Sequence, residues 1–240
     1  MPATFAAMRR ILVTILLAAI LPTTIARAAE VQNHGYLWET WIADTFFGGY
    51  RQASYTQAWD IPAAVNTEHG GIPANPKVAK FGAPVDMGDA LRQFDVDEPF
   101  LLIVGFWKQV GDQKRFVKAL AIRVEPAAWR GLWGDITRED VERLDALVKN
   151  RSLDVREVRR RALAMKKAPP FNSAAIAMNP KIGADGQRRL QCSLAFDEVF
   201  ARLAPDASRE PEDDVKLWGM PVPGPFHSPP RGSAVDEQGG

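Results

Sequence analysis

The chain has 240 residues, 46% of them hydrophobic and 25% charged, with a formal net charge of +1. These are the proportions of an ordinary folded protein, and they exclude a wholly disordered chain, a collagen-like repeat and a membrane protein of many spans. A near-neutral balance gives no global attraction for nucleic acid, so any phosphate binding has to come from local clusters. The single cysteine, Cys192, excludes an intrachain disulfide and a cysteine-rich metal site.

Residues 1–29 have the three parts of a secretory signal: Arg9-Arg10, an apolar run from Ile11 to Leu21, and the small-x-small site Ala26-Arg27-Ala28. The run is shorter than the roughly 20 residues a membrane span needs. The expectation is therefore export to a periplasm or the exterior, with an uncleaved membrane anchor as the alternative. Beyond it, Leu37, Trp38, Trp41, Ile42, Thr45 and Phe46 recur at helical spacing over 36–47. Asn33 can cap that helix and Gly48-Gly49 can stop it.

Tyr50 to Ile61 reads as an extended segment, followed by a loop rich in Gly and Asn. Ile72 to Val78 reads as a strand and Asp86 to Phe94 as a short helix. The continuous apolar run Phe100 to Trp107 has the pattern of a strand buried on both faces. Gly111-Asp112 turns it into a second strand, Arg115 to Val124. Thr137-Arg138-Glu139-Asp140 resembles a capping box and opens a helix with Val141, Leu144, Leu147 and Val148 on one face. A further helix over 153–167 aligns Val155, Val158, Ala162 and Met165. Strands Ala174 to Asn179 and Arg189 to Phe196 flank a turn at residues 183–186, and a short helix runs from Asp197 to Leu203.

From Pro205 the last 36 residues hold seven Pro and five Gly with no apolar period, the composition of a disordered tail, in which Trp218 can dock locally. The expected organisation is one α/β domain over 30–204 with a mixed central sheet flanked by helices, between the signal (1–29) and the tail (205–240).

Chemistry concentrates in Glu39, Asp60, Asn75 and Lys77. Glu39 lies at the edge of the apolar stripe of the first helix. Asp60 ends a predicted strand, and Asn75 and Lys77, two apart on the next, share a face. A hairpin of those strands places Asp60 beside Lys77. Carboxylates at a strand end can hold Mg²⁺ through oxygen, and a neighbouring lysine can orient a water or stabilise phosphate charge. Each residue also has a plainer role open to it: a solvated acid at Glu39, a turn acid at Asp60, an exposed lysine at Lys77.

At these positions the sequence resembles the PD-(D/E)XK nuclease superfamily, the restriction-endonuclease-like fold. Glu39, Asp60 in Trp59-Asp60-Ile61-Pro62, and Asn75-Pro76-Lys77 match its helix acid, its Asp and its (D/E)-x-K element. The resemblance covers about residues 33–200. It implies hydrolysis of DNA with Mg²⁺ or Mn²⁺, metal bound by Asp60, Glu39 and Asn75, water positioned by Lys77, and pairing into a homodimer for double-strand cuts. Asn75 stands where the family has a second carboxylate, and Pro76 sits inside the strand; Glu68, Asp86 or Asp89 are candidates to supply the missing charge. The alternative is a non-catalytic exported protein that uses the same fold to bind nucleic acid or a protein partner.

Two basic stretches suit a phosphate backbone: Arg156, Arg159, Arg160, Lys166 and Lys167 on one helix side, and Gln187, Arg188, Arg189 and Gln191 on a strand. A solvated surface explains the same residues. Cys192 reads as a core thiol. His34, His69 and His227 lack the spacing of a zinc protease, and no P-loop, G-x-S-x-G elbow or G-x-G-x-x-G is present.

Overall fold

The apolar run that begins at Phe100 becomes the central strand of the protein, covered on both faces. The structure, a computed structural model, describes residues 35–52, 59–183 and 186–228. The secretory signal, Asn33, residues 53–58 of the extended segment, the tip of the 183–186 turn and the tail beyond Ser228 lie outside the described residues.

A helix over 35–46, α1, is followed by β1 (Ala74–Lys80), β2 (Val85–Asp89), α2 (Ala90–Phe94), β3 (Phe100–Val110) and β4 (Gln113–Val124). Then come α3 (Pro126–Gly131), α4 (Arg138–Lys149), α5 (Val155–Lys166), β5 (Ile176–Ile182) and β6 (Arg188–Leu194). Helical turns at Phe196–Glu198 and Val199–Leu203 lead to three short strands, β7 (Lys216–Leu217), β8 (Met220–Pro221) and β9 (Phe226–His227). One sheet has the order β1-β3-β4-β9 and a second the order β2-β6-β5. β1 runs parallel to β3, and β3 antiparallel to β4. The class is thus mixed α/β, with sheets flanked by helices, as the sequence pattern leads one to expect. Among the described residues no helix is long and apolar enough to cross a membrane.

β3 is apolar throughout because its two faces meet different layers. Leu102, Val104 and Phe106 join a core with Met87 and Leu194 of the second sheet, Val141 and Leu144 of α4, and Val158 of α5. The opposite face receives α1. There Gly105 lies so close to Trp38 that a Cβ on it would stand 2.9 Å from two indole carbons and 3.0 Å from Phe116 Cε1. α1 ends where expected. Gly48 and Gly49 both have positive φ, and Gly49 N–H folds back to donate to Ala43 O, six residues earlier, at 2.9 Å, a reversal that left-handed residues permit easily.

Thr137 and Asp140 form the anticipated capping box, which holds the Asp140 carboxyl below its ordinary range through the Thr137 amide and hydroxyl. Cys192 is fully buried, and burial pushes its thiol well above the usual value.

Three expectations need correction. The segment from Asp86 is first a strand: Val85 and Met87 are buried at alternate positions, Gly88 bulges with φ of +90°, and only then does Asp89 cap α2 by accepting from Arg92 N–H. α3 is additional, a six-residue helix opened by Pro126 and anchored by Trp129, whose Nε1 donates to Gln93 O at 2.7 Å. Residues 205–228 of the tail are structured. Val215 and Leu217 are buried, Glu212 N–H donates to Val117 O at 2.7 Å, β9 pairs with β4, and Trp218 stacks on His69 at 3.7 Å. Few but specific contacts hold a segment whose average composition suggests none.

Gly105→Ala is expected to lower stability by about 1–3 kcal/mol, since the methyl must displace the Trp38 ring or the strand. Gly131→Ala, with open space around it, leaves the urea midpoint unchanged or raised. Equal midpoints for the two variants would show that the Trp38 contact relaxes freely.

Candidate active site

Asp60 is positioned by the residue on either side of it. Trp59 stacks on Phe100 at 5.0 Å, and its Nε1 donates to Glu98 Oε1 at 2.6 Å. Ile61 forms a single antiparallel bridge with Ala74, with bonds of 3.0 and 2.8 Å. The intervening loop is returned by Asn66, fully buried, whose amide donates to His69 O and Ile72 O and accepts from His69 N–H. The expected hairpin is therefore one bridge long, and it suffices. In antiparallel register Asp60 comes opposite Asn75 and diagonal to Lys77, a neighbour relation within reach of a long side chain.

Lys77 Nζ donates to Asp60 Oδ2 at 2.9 Å, with the two side chains 19% and 35% exposed. Glu39 approaches from α1, one residue beyond the Trp38 that packs on Gly105. Glu39 is exposed, and partial desolvation against the protein holds its carboxyl above the ordinary glutamate value; the Lys77 ammonium opposes that shift and the Asp60 carboxylate adds to it. Desolvation wins. The sequence-predicted Asp60 and Lys77 are thus brought into contact, and Glu39 lies within electrostatic reach of both. Asn75 lies on the same strand face, 4% exposed, and its Oδ1 has no hydrogen-bond partner. A buried carbonyl oxygen without a partner costs on the order of 1–3 kcal/mol. Pro76 is accommodated because β1 is the edge strand of its sheet.

The candidates for an extra charge do other work. Asp86 Oδ1 accepts from Gly88 N–H at 2.9 Å and Asp89 Oδ1 from Arg92 N–H at 3.0 Å, while Glu68 is exposed. Among the described residues no three His, Cys, Asp or Glu side chains are grouped to hold a metal ion. Asn75 shares the Leu102 and Val104 face of the sheet with Lys77, whereas α1, which carries Glu39, covers the Gly105 face. The oxygen donors in the neighbourhood are thus the Asp60 carboxylate and the Asn75 amide, with the Glu39 carboxylate reaching toward Asp60 and Lys77 from the other side. All are oxygen, the kind Mg²⁺ takes, and the unpartnered Asn75 Oδ1 is a free acceptor among them.

The basic stretches divide. Arg160 and Arg161 both bond Glu157, lowering that carboxyl to about 2. Arg188 donates to Asn150 O and so ties β6 to the end of α4. Arg159 donates to Ile182 O from Nε and Nη2. Arg156, Lys167, Gln187 and Arg189 are exposed, and Lys166 and Gln191 half-buried.

The sequence reading missed Asn66, Glu98 and Gly105, which fix the site without facing it. A lone Asn within a Gly-rich loop was the available signal for Asn66; neither Glu98 nor Gly105 has a local one.

Because Glu39 takes up a proton more readily in the fold than in the unfolded chain, its ionisation destabilises the fold as pH rises through the raised value. Glu39→Gln, which stays neutral, is expected to be more stable than the parent near pH 8. The gain is small, because Glu39 is an exposed residue and water screens its charge, and it vanishes below the ordinary glutamate value, where both side chains are neutral. Urea midpoints across that range test this, and a pH-independent difference would refute it.

Compared with protein-family models, with curated proteins and with solved structures, the chain matches none.

Proposed function

We propose that the chain is an exported, metal-dependent nuclease that hydrolyses phosphodiester bonds in DNA through a restriction-endonuclease-like core. The observation that carries this reading is the Lys77–Asp60 pair beside the unpartnered oxygen of Asn75, with Glu39 in electrostatic reach of both charges. Support for the fold assignment comes from the order of its parts: an opening helix with Glu39, then Asp60 at a bridge, then Asn75-Pro76-Lys77 on the adjoining strand. Export rests on the residues 9–28 pattern.

Asp60, Glu39 and Asn75 would hold Mg²⁺ or Mn²⁺. When bound, such an ion polarises a phosphoryl oxygen and lowers the pKa of water on it. Lys77 places a positive charge where a phosphate oxygen gains negative charge, and Asp60 fixes the direction of that ammonium. Glu39 accepts cations only once it has lost its proton, so its raised proton affinity makes the site respond to pH. Arg156, Arg159, Lys166, Lys167 and Arg189 provide cations for the DNA backbone.

A second reading is favoured by one feature. Asn75 withholds a charge that a divalent ion would use, and Lys77 already satisfies one oxygen of Asp60. On that reading the protein binds nucleic acid or a protein partner without cutting.

Plasmid nicking by the chain from residue 30 onward, with Mg²⁺ or Mn²⁺ against EDTA, separates the two. The nuclease reading requires metal-dependent cutting that falls at least about a hundredfold in Asp60→Ala. The rate should rise with pH in the parent and flatten in Glu39→Gln. Asn75→Asp should lower the Mg²⁺ concentration needed for half-maximal rate. Cutting that survives Asp60→Ala, or none from a folded sample, overturns the reading.

A further inference from the structure

Between α5 and β5 lies a cavity of about 350 Å³ whose lining includes Arg159, Lys166 and Lys181 with Asn179, Leu163 and Ile182. Three cations face one space, and no carboxylate lines it. Like charges gathered in a concavity repel one another, so their convergence favours an anion. The neighbouring cations differ: Arg160 and Arg161 are neutralised by Glu157. Among the described residues neither Lys166 nor Lys181 has an ion-pair partner. Arg159 is held rigid, since Nε and Nη2 both donate to Ile182 O at 3.0 and 2.6 Å. Its Nη1 edge remains for a ligand, already oriented before any ligand arrives.

The spacing selects the kind of anion. Arg159 and Lys166 are seven positions apart on one helix, about 10 Å along its axis. A row of cations along that length is matched by successive phosphates of a nucleic-acid strand, which carries a charge about every 3.4 Å of axis. Leu163 lies between them on the same face and is 49% exposed, a carbon surface against which a sugar can lie. We infer that this groove holds the phosphate backbone of a DNA strand. The inference deepens the nuclease reading by locating part of its substrate, and it rests on that reading only for the choice of DNA as the polyanion.

Fluorescence anisotropy with a labelled DNA duplex, in EDTA and over a series of salt concentrations, tests binding apart from cutting. Lys166→Ala/Lys181→Ala should bind at least about tenfold more weakly and lower the salt slope by nearly 2. Arg202→Ala/Arg209→Ala removes the same charge from ion pairs with Glu198 and Asp197 elsewhere and should retain both affinity and slope. Equal losses in the two variants, an unchanged slope in the first, or no binding by the parent would each overturn the inference. Nicking assays on the same samples keep the two readings distinguishable. Groove-dependent binding without metal-dependent cutting sustains the groove and removes the nuclease. Cutting by the parent with undiminished binding in the lysine variant does the reverse.

Discussion

The approach of the Trp38 indole to the backbone of β3 at Gly105 is the contact from which the candidate site takes its shape. A glycine in mid-strand is unfavourable in itself, because it packs nothing and is costly to order. Here the missing side chain is the space the indole occupies, with Phe116 closing it at 4.8 Å from Trp38. Trp38 Nε1 reaches Ile103 O at 3.5 Å, which fixes the ring's direction. Seating Trp38 fixes α1 on the sheet, and Glu39 is the next residue. Glu39 itself stays solvent-exposed, so the packing that anchors the helix brings its carboxyl near the sheet and desolvates it only in part.

At the site itself two forces of opposite sign meet. Lys77 would pull Glu39 toward ionisation, and both burial and Asp60 push the other way, with burial the largest. One ammonium cannot fully compensate two carboxylates. An aspartate at position 75 would add a third negative charge to a region already short of cations. Asparagine places an oxygen there without that charge, at the cost of leaving it unpartnered. The cluster can therefore fold without a bound cation, which a three-carboxylate version would do less readily.

What was legible in the sequence followed from local period or local chemistry. β3 was visible because burial on both faces leaves no polar side, and α4 because Thr137 and Asp140 can cap only a helix start. The pairing of Asp60 with Lys77 was legible through parity alone, since residues two apart on a strand share a face. The hidden parts depend on distant partners. Gly105 reads as a blemish in an apolar run until Trp38, 67 positions earlier, is laid on it. β2 is concealed by a five-residue length and a bulge at Gly88. Lys181 joins Arg159 and Lys166 only once β5 has folded against α5.

The tail shows most plainly how an average can mislead. Counted by composition, residues after Pro205 offer too little apolar surface to offset chain entropy. Yet β4 turns Lys118 inward, its side chain 4% exposed, and an ammonium so placed is strongly unfavourable without a counter-charge. Glu212 supplies it, 94 positions later, while Arg115 takes Asp213 O and Oδ1 at 2.6 and 3.4 Å. Once Glu212 is fixed, the chain ahead of it needs to travel only a few residues for Val215 and Leu217 to be buried and Trp218 to reach His69. The order of this segment is thus imposed by the strand it covers. A basic residue at an inward position of a strand was the sequence signal, and reading it required knowing which positions of β4 point inward.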